Sequence, residues 1–141
     1  TLGPLGKVLM ATGKLPLSAD RIAPHDQPHL AMPPATAPTI EFGKHLANIC
    51  KGCHQENFAG GPITGGDPSW PPARNLTPHA SGLKGWTDGE IARAIRTGVR
   101  RDGSPLLPPM GYSFYRNIDD AEMAAIVAYL RSLKPQLFGG G

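Results

Sequence analysis

Cys50-Lys51-Gly52-Cys53-His54 decides how the rest of this chain is read, because it holds the only two cysteines among 141 residues. Their close spacing disfavours most of what cysteine pairs do. A disulfide between them would close a very small loop and fasten nothing distant. A thioredoxin-like dithiol expects a strand just before the motif, with strands and helices alternating around it. Neither pattern is visible here. Zinc needs two or more further ligands at finger-like spacing, and there is no second cysteine pair to supply them. The residue after Cys53 separates the remaining alternatives.

With His54 in place the stretch reads C-x-x-C-H, the pattern of covalent c-type haem attachment. Each position has a chemical reason. The thiols of Cys50 and Cys53 add across the two haem vinyl groups, and two intervening residues let both sulfurs reach neighbouring vinyls. His54 is then carried under the ring, where its imidazole takes the proximal position on iron. Gly52 removes bulk where the backbone passes the ring edge. A low-spin electron-transfer haem wants a second strong ligand, and thioether sulfur is a soft donor that favours ferrous iron. Of the four methionines, Met123 lies on an apolar helical stripe and reads as core, while Met10 and Met32 precede the motif by a long arm. Met110 follows Leu107-Pro108-Pro109 in a stiff loop and is the predicted sixth ligand. Among the other histidines (His25, His29, His45 and His79), His79 is the least implausible for a bis-His alternative, and His45 comes too soon before Cys50 to cross the ring.

Outward from the motif, the pattern is helical. Thr39 caps a predicted helix through Cys50, with Phe42, Leu46 and Ile49 on one face. Thr87-Asp88-Gly89-Glu90 is a capping box. It opens a helix with Ile91, Ile95 and Val99 on its apolar face and an end near Gly98. Asp119 and Glu122 open a last helix along Met123, Ile126, Val127, Leu130 and Leu133, which Pro135 stops. Gln55 to Gly85 and Gly103 to Gly111 are loops punctuated by Gly and Pro. Residues 1–38 carry seven prolines and read as an extended leader or linker, with a helical turn or two between Leu5 and Leu17. Residues 39–138 form the domain, and 139–141 are a glycine tail, either natural or an appended remnant. The predicted class is all-α, with three or more helices and long loops around one haem.

Composition bounds the function. Gly and Pro number 18 and 16, while aromatics are only 6 %. Such a chain has few large side chains for an interior, so a bulky non-protein group makes physical sense there. The net charge of +3 is scattered, with only Arg100 and Arg101 adjacent, so no basic stripe tracks a phosphate backbone and nucleic acid is not an expected partner. No run approaches the ~18 apolar residues of a membrane span. The first residue is not Met, so a missing signal, anchor or preceding domain is expected, with membrane association through such an anchor.

From Phe42 to about Leu133, two-thirds of the chain, the sequence resembles a class I cytochrome c. It is similar in particular to cytochrome subunits and domains of bacterial periplasmic or membrane-bound dehydrogenases. The matching pieces are Gly43, Cys50-x-x-Cys53-His54, Gly61-Pro62, Asn75-Leu76-Thr77-Pro78, Gly85-Trp86-Thr87-Asp88, Pro109-Met110 and the run from Ile126 to Leu133. The resemblance implies crossing N- and C-terminal helices, with Gly43 allowing close approach beneath Tyr129. It implies that Pro62 lies by the proximal histidine, that Asn75 and Thr77 reach the haem propionates, and that Trp86 packs at a helix start. It further implies an electron carrier rather than a catalyst, exchanging electrons with a dehydrogenase and with a terminal oxidase or another cytochrome. The compartment it implies is the periplasm or the outer face of the cytoplasmic membrane. Lys51 and Lys84, near the haem edge, are the expected source of salt-sensitive steering. The alternative is a haem enzyme or gas sensor with a displaceable sixth ligand.

Overall fold

The computed structural model describes residues 3–14 and 34–140, and the chain divides into two units, Thr1–Pro33 and Pro34–Gly141. The division after Pro33 precedes the boundary read from the sequence, so residues 34–38 go with the domain. In the first unit, α1 (Pro4–Ala11) begins at a proline, whose missing N–H costs nothing in a first turn. Its end is closed by the Thr12 hydroxyl donating to the Val8 carbonyl at 2.9 Å. None of its residues is buried.

The second unit begins its helices where Thr39 caps α2 (Ile40–Leu46), its hydroxyl accepting the Phe42 N–H at 3.2 Å. The single helix predicted through Cys50 is in fact two pieces, and a third follows it. The chain tightens into a 3-10 turn over Ala47–Cys50 and resumes as α3 (Lys51–His54), which carries the motif. Further on come α4 (Asp88–Thr97), the short α5 (Tyr112–Tyr115) and α6 (Asp120–Ser132). Both predicted capping boxes form in full, Thr87 with Glu90 and Asp119 with Glu122. Among the described residues the only extended pairings are two isolated bridges, Gly61 with Ala73 and Val99 with Pro105.

The most extensive helix contact is between α2 and α6. It turns on Gly43, where a Cβ would overlap the Ala125 carbonyl and stand 2.9 Å from the Tyr129 Cβ. This seating rotates α2 so that Gly43 and Ala47 face inward beside Phe42. Ile49, expected on the same face as Phe42, lies off it and is 68 % exposed. Val99, expected on the apolar face of α4, falls beyond the helix, which Gly98 ends in the left-handed conformation at φ 71°. The core joins Ala47 and Phe58 to Leu83, Ile91 and the inner face of α6, with Phe58 and Tyr129 edge to face at 5.6 Å. Met123 is buried in it, as its stripe predicts. Among the described residues no helix is long and apolar enough to cross a membrane.

Candidate haem-attachment site

The short helix α3 ends on His54, and the chain turns sharply at the next residue, Gln55, which has a φ of 67°. Gly60 N–H returns to the His54 carbonyl at 3.1 Å, tying this turn to the start of the next loop. The imidazole itself is held from another direction. Its Nδ1 lies 2.7 Å from the Arg74 carbonyl oxygen. A carbonyl can only accept, so Nδ1 carries the proton and Nε2 carries the lone pair. Burial pushes the His54 pKa down, and the bond to Arg74 partly opposes it. The ring is therefore neutral at neutral pH, the form that ligates a metal.

Both thiols are free. Burial first, and Cys53 second, push the Cys50 thiol up to about 11. Tyr115 lies within electrostatic reach of both sulfurs: its phenol is pushed up by burial and then by Cys50 and Cys53. Met110 is half-buried in a turn closed by its own N–H on the Leu107 carbonyl at 3.2 Å. Among the alternatives, His79 accepts the Ser81 N–H on its Nδ1 at 3.1 Å, inside its own turn. His45 is exposed on α2, and His25, His29 and Met32 lie outside the described residues.

Pro62 lies in the loop that follows His54: its carbonyl accepts from Gln55 Nε2 at 2.8 Å, one residue beyond the imidazole. Asn75 and Thr77 are buried with their polar groups already engaged. Asn75 Nδ2 donates to Ser81 Oγ at 3.0 Å and to the Gln136 carbonyl at 2.8 Å. Its Oδ1 accepts both the N–H and the hydroxyl of Thr77, each at 2.8 Å. The side-chain donors of both residues are engaged within the chain, where they fasten the loop after Arg74. Lys51 is paired with Glu56 at 3.1 Å, which neutralises its charge locally, whereas Lys84 is exposed.

The fit of a haem can be tested on two features. Two free thiols and one imidazole within five residues form a donor set that suits an iron held inside a macrocycle with two vinyl groups. A recess of about 360 Å³ is lined by Trp86, Arg100, Arg101 and Asp102. Arg100 Nε, like Arg96 Nε, is buried without a partner among the described residues. Trp86, like Cys50, packs against the core. A buried guanidinium N–H lacking an acceptor suits a carboxylate, which the porphyrin edge has. Motif reading misses Arg74, Tyr115 and Arg100. Only Arg100 carries a signal in the sequence, as half of the one adjacent basic pair.

A helical frame offering two free thiols and a tautomer-fixed imidazole within one turn defines a covalent haem-binding domain. The cytochrome c family profile matches residues 40–134, and the chain belongs to that family. It is an electron carrier whose cofactor is haem c, attached through Cys50 and Cys53. It is similar to a nicotinate dehydrogenase subunit of Pseudomonas putida, 34 % identical over 71 % of this chain and 9 % of that protein. It is also similar to the fructose dehydrogenase cytochrome subunit of Gluconobacter japonicus, 32 % identical over 72 % of this chain and 23 % of the relative. The gluconate 2-dehydrogenase cytochrome c subunit of Pantoea cypripedii is 32 % identical over 64 % and 22 %. The chain thus spans less than a quarter of the length of each of these relatives.

Proposed function

We propose that this domain relays single electrons from a dehydrogenase to a respiratory acceptor, with His54 Nε2 and Met110 Sδ as the axial ligands of its haem. The haem supplies a one-electron ferric/ferrous couple. The chain's own residues do the rest. Cys50 and Cys53 would anchor the ring, the Arg74 carbonyl would hold the imidazole's orientation, and Met110 would supply the second ligand from a proline-bounded loop. Arg100, whose buried Nε lacks a partner among the described residues, would offer a donor to a propionate beside the expected Asn75 and Thr77. With His54 and Met110 both holding iron, the haem group would supply outer-sphere electron transfer rather than an open site for substrate.

The observation that carries this reading is the 2.7 Å bond from His54 Nδ1 to the Arg74 carbonyl, because it commits the opposite nitrogen to a ligand. The names of the relatives support a dehydrogenase as the electron donor, and thioether assembly supports a compartment outside the cytoplasmic membrane. The experiment is optical. Ferric holoprotein is expected to show the weak far-red band of thioether ligation. Met110→Ala should lose it while Met123→Leu, altered only in the core, keeps it. Retention in Met110→Ala would reject Met110 as ligand.

A further inference from the structure

The glycines that close the sequence suggest a loose tail, yet the end of the chain is fastened at both of the places that hold His54. One place is the 73–77 segment, which carries the Arg74 carbonyl. There Gln136 N–H donates to Thr77 Oγ1 at 3.1 Å, and the Gln136 carbonyl accepts from Asn75 Nδ2 at 2.8 Å. Thr77 Oγ1 in turn donates to Asn75 Oδ1. Thr77 is 0 % exposed and Asn75 2 %. The other place is the 57–61 segment, whose Gly60 N–H holds the His54 carbonyl. Gly139 N–H donates to the Ala59 carbonyl at 3.1 Å, and Asn57 Nδ2 donates to the Gly140 carbonyl. The two segments are also bridged to each other, Gly61 and Ala73 exchanging both backbone bonds at 2.9 Å.

One residue after Pro135 the chain therefore runs as a strap across the two loops that grip the imidazole from its ring and from its backbone. A carbonyl held at hydrogen-bond distance from Nδ1 raises the basicity of the other nitrogen and steadies the ring. A more basic ligand stabilises ferric iron relative to ferrous. Anything that lets the 73–77 segment drift weakens this bond and shifts the couple toward the ferrous form.

We propose that Gln136–Gly140 is a positioning strap for the proximal ligand: by holding Asn75 and Thr77 it keeps the Arg74 carbonyl on His54 Nδ1 and so helps set the reduction potential. This rests on the reading of His54 as axial ligand. The strap contributes backbone groups at Gln136, Gly139 and Gly140, so its residue types leave no motif in the sequence, and the side chains that show it are its receivers, Asn57, Asn75 and Thr77.

The test uses the holoprotein. Thr77→Val keeps the shape of the side chain and removes the hydroxyl that receives Gln136, and Thr77→Ser restores it. Asn57→Ala releases the far end of the strap at a half-buried position and keeps the test available if the valine variant fails to fold. Spectroelectrochemistry and proton NMR of the His54 ring are the readouts. In Thr77→Val the ferrous-to-ferric equilibrium constant should rise about threefold, which at ~59 mV per tenfold for one electron is about 30 mV upward. Exchange of the Nδ1 proton with solvent should quicken about fivefold, the factor of roughly one net hydrogen bond. Asn57→Ala should move both in the same direction by less, and Thr77→Ser should match wild type. Wild-type potential and exchange in folded Thr77→Val, or in Asn57→Ala alone if only that variant folds, would overturn the strap. So would a shift that Thr77→Ser fails to reverse. Absence of hyperfine-shifted His54 ring signals from the wild-type protein would instead overturn the axial-ligand reading beneath it.

Discussion

Gly43→Ala adds one methyl group at the point where α2 lies against α6. The new carbon would overlap the Ala125 carbonyl oxygen and stand 2.9 Å from the Tyr129 Cβ. The obstacle is helix backbone, so no rotamer change relieves it, and the helices must part. Overpacking a fitted core costs about 1–3 kcal/mol, and a backbone obstacle belongs at the upper end of that range. Against this, alanine is favoured over glycine within a helix by roughly 0.5–1 kcal/mol. The net expectation is a loss of about 2 kcal/mol. At about 4–8 °C per kcal/mol for a domain of this size, Tm should fall by roughly 8–16 °C. The assay is thermal unfolding of the holoprotein followed by far-ultraviolet circular dichroism. Gly89→Ala is the internal comparison: it too lies in a helix, but a Cβ there meets nothing within 4 Å. It should be neutral or stabilising by up to about 1 kcal/mol. If Gly43→Ala proved as stable as Gly89→Ala, α2 would not cross α6 at this glycine.

Two helix-start predictions complete the set. Asp119→Ala removes the oxygen that accepts the Glu122 N–H at 2.7 Å and should cost about 1 kcal/mol, read as a lower chemical-denaturation midpoint at unchanged slope. For Glu90 the sign follows from its depressed pKa, which the Thr87 backbone N–H chiefly causes, with the Thr87 side chain and Arg101 assisting. A carboxylate whose folded pKa lies below its ordinary 4.5 stabilises the fold above that pH and loses the contribution as pH falls through the folded value. Glu90→Gln should therefore lower Tm at neutral pH, and the gap should close on acidification below 4.5; a gap independent of pH would mean that charge plays no part.

Residues that act through their own side chains are legible in the sequence. The thiols, the following histidine, both capping boxes and the glycine at the helix crossing each leave a residue-type signature, because the chemistry at those positions admits few substitutes. Ile49 departs from its expected face because period alone cannot say which part of a helix meets the partner, and Gly43 shifts that part. The family pattern points to the proline beside a glycine as a neighbour of the histidine, while the acceptor for Nδ1 is the Arg74 backbone carbonyl, a group any residue supplies. Nothing in the Arg74 side chain marks it for that role. The Asn75-Leu76-Thr77-Pro78 stretch does stand out, but nothing in it announces that its polar groups bind the backbone of Gln136. Loop connections made by backbone atoms are the part of this site that a sequence does not spell.

Low aromatic content has a structural counterpart that bears on why those loops are tied so heavily. The largest fully buried side chains are Phe58, Asn75 and Thr77, and two of the three are polar. The apolar core gathers on α6 with Phe58, Leu83 and Ile91, so it reaches few residues of the long stretch between α3 and α4, which has no helix of its own. Hydrogen bonds order it instead. Leu76 N–H donates to the Phe58 carbonyl at 2.9 Å and Leu83 N–H to the Thr77 carbonyl at 2.8 Å, beside the Asn75–Thr77–Gln136 cluster. Such bonds are directional, where apolar packing is not, so they fix one loop geometry at a modest net gain in stability. For an electron carrier that is the useful trade. On the proposed reading of His54 as a haem ligand, the position of the Arg74 carbonyl bears on ligand strength, and the directional bonds of the buried network at the loop's root fix that position.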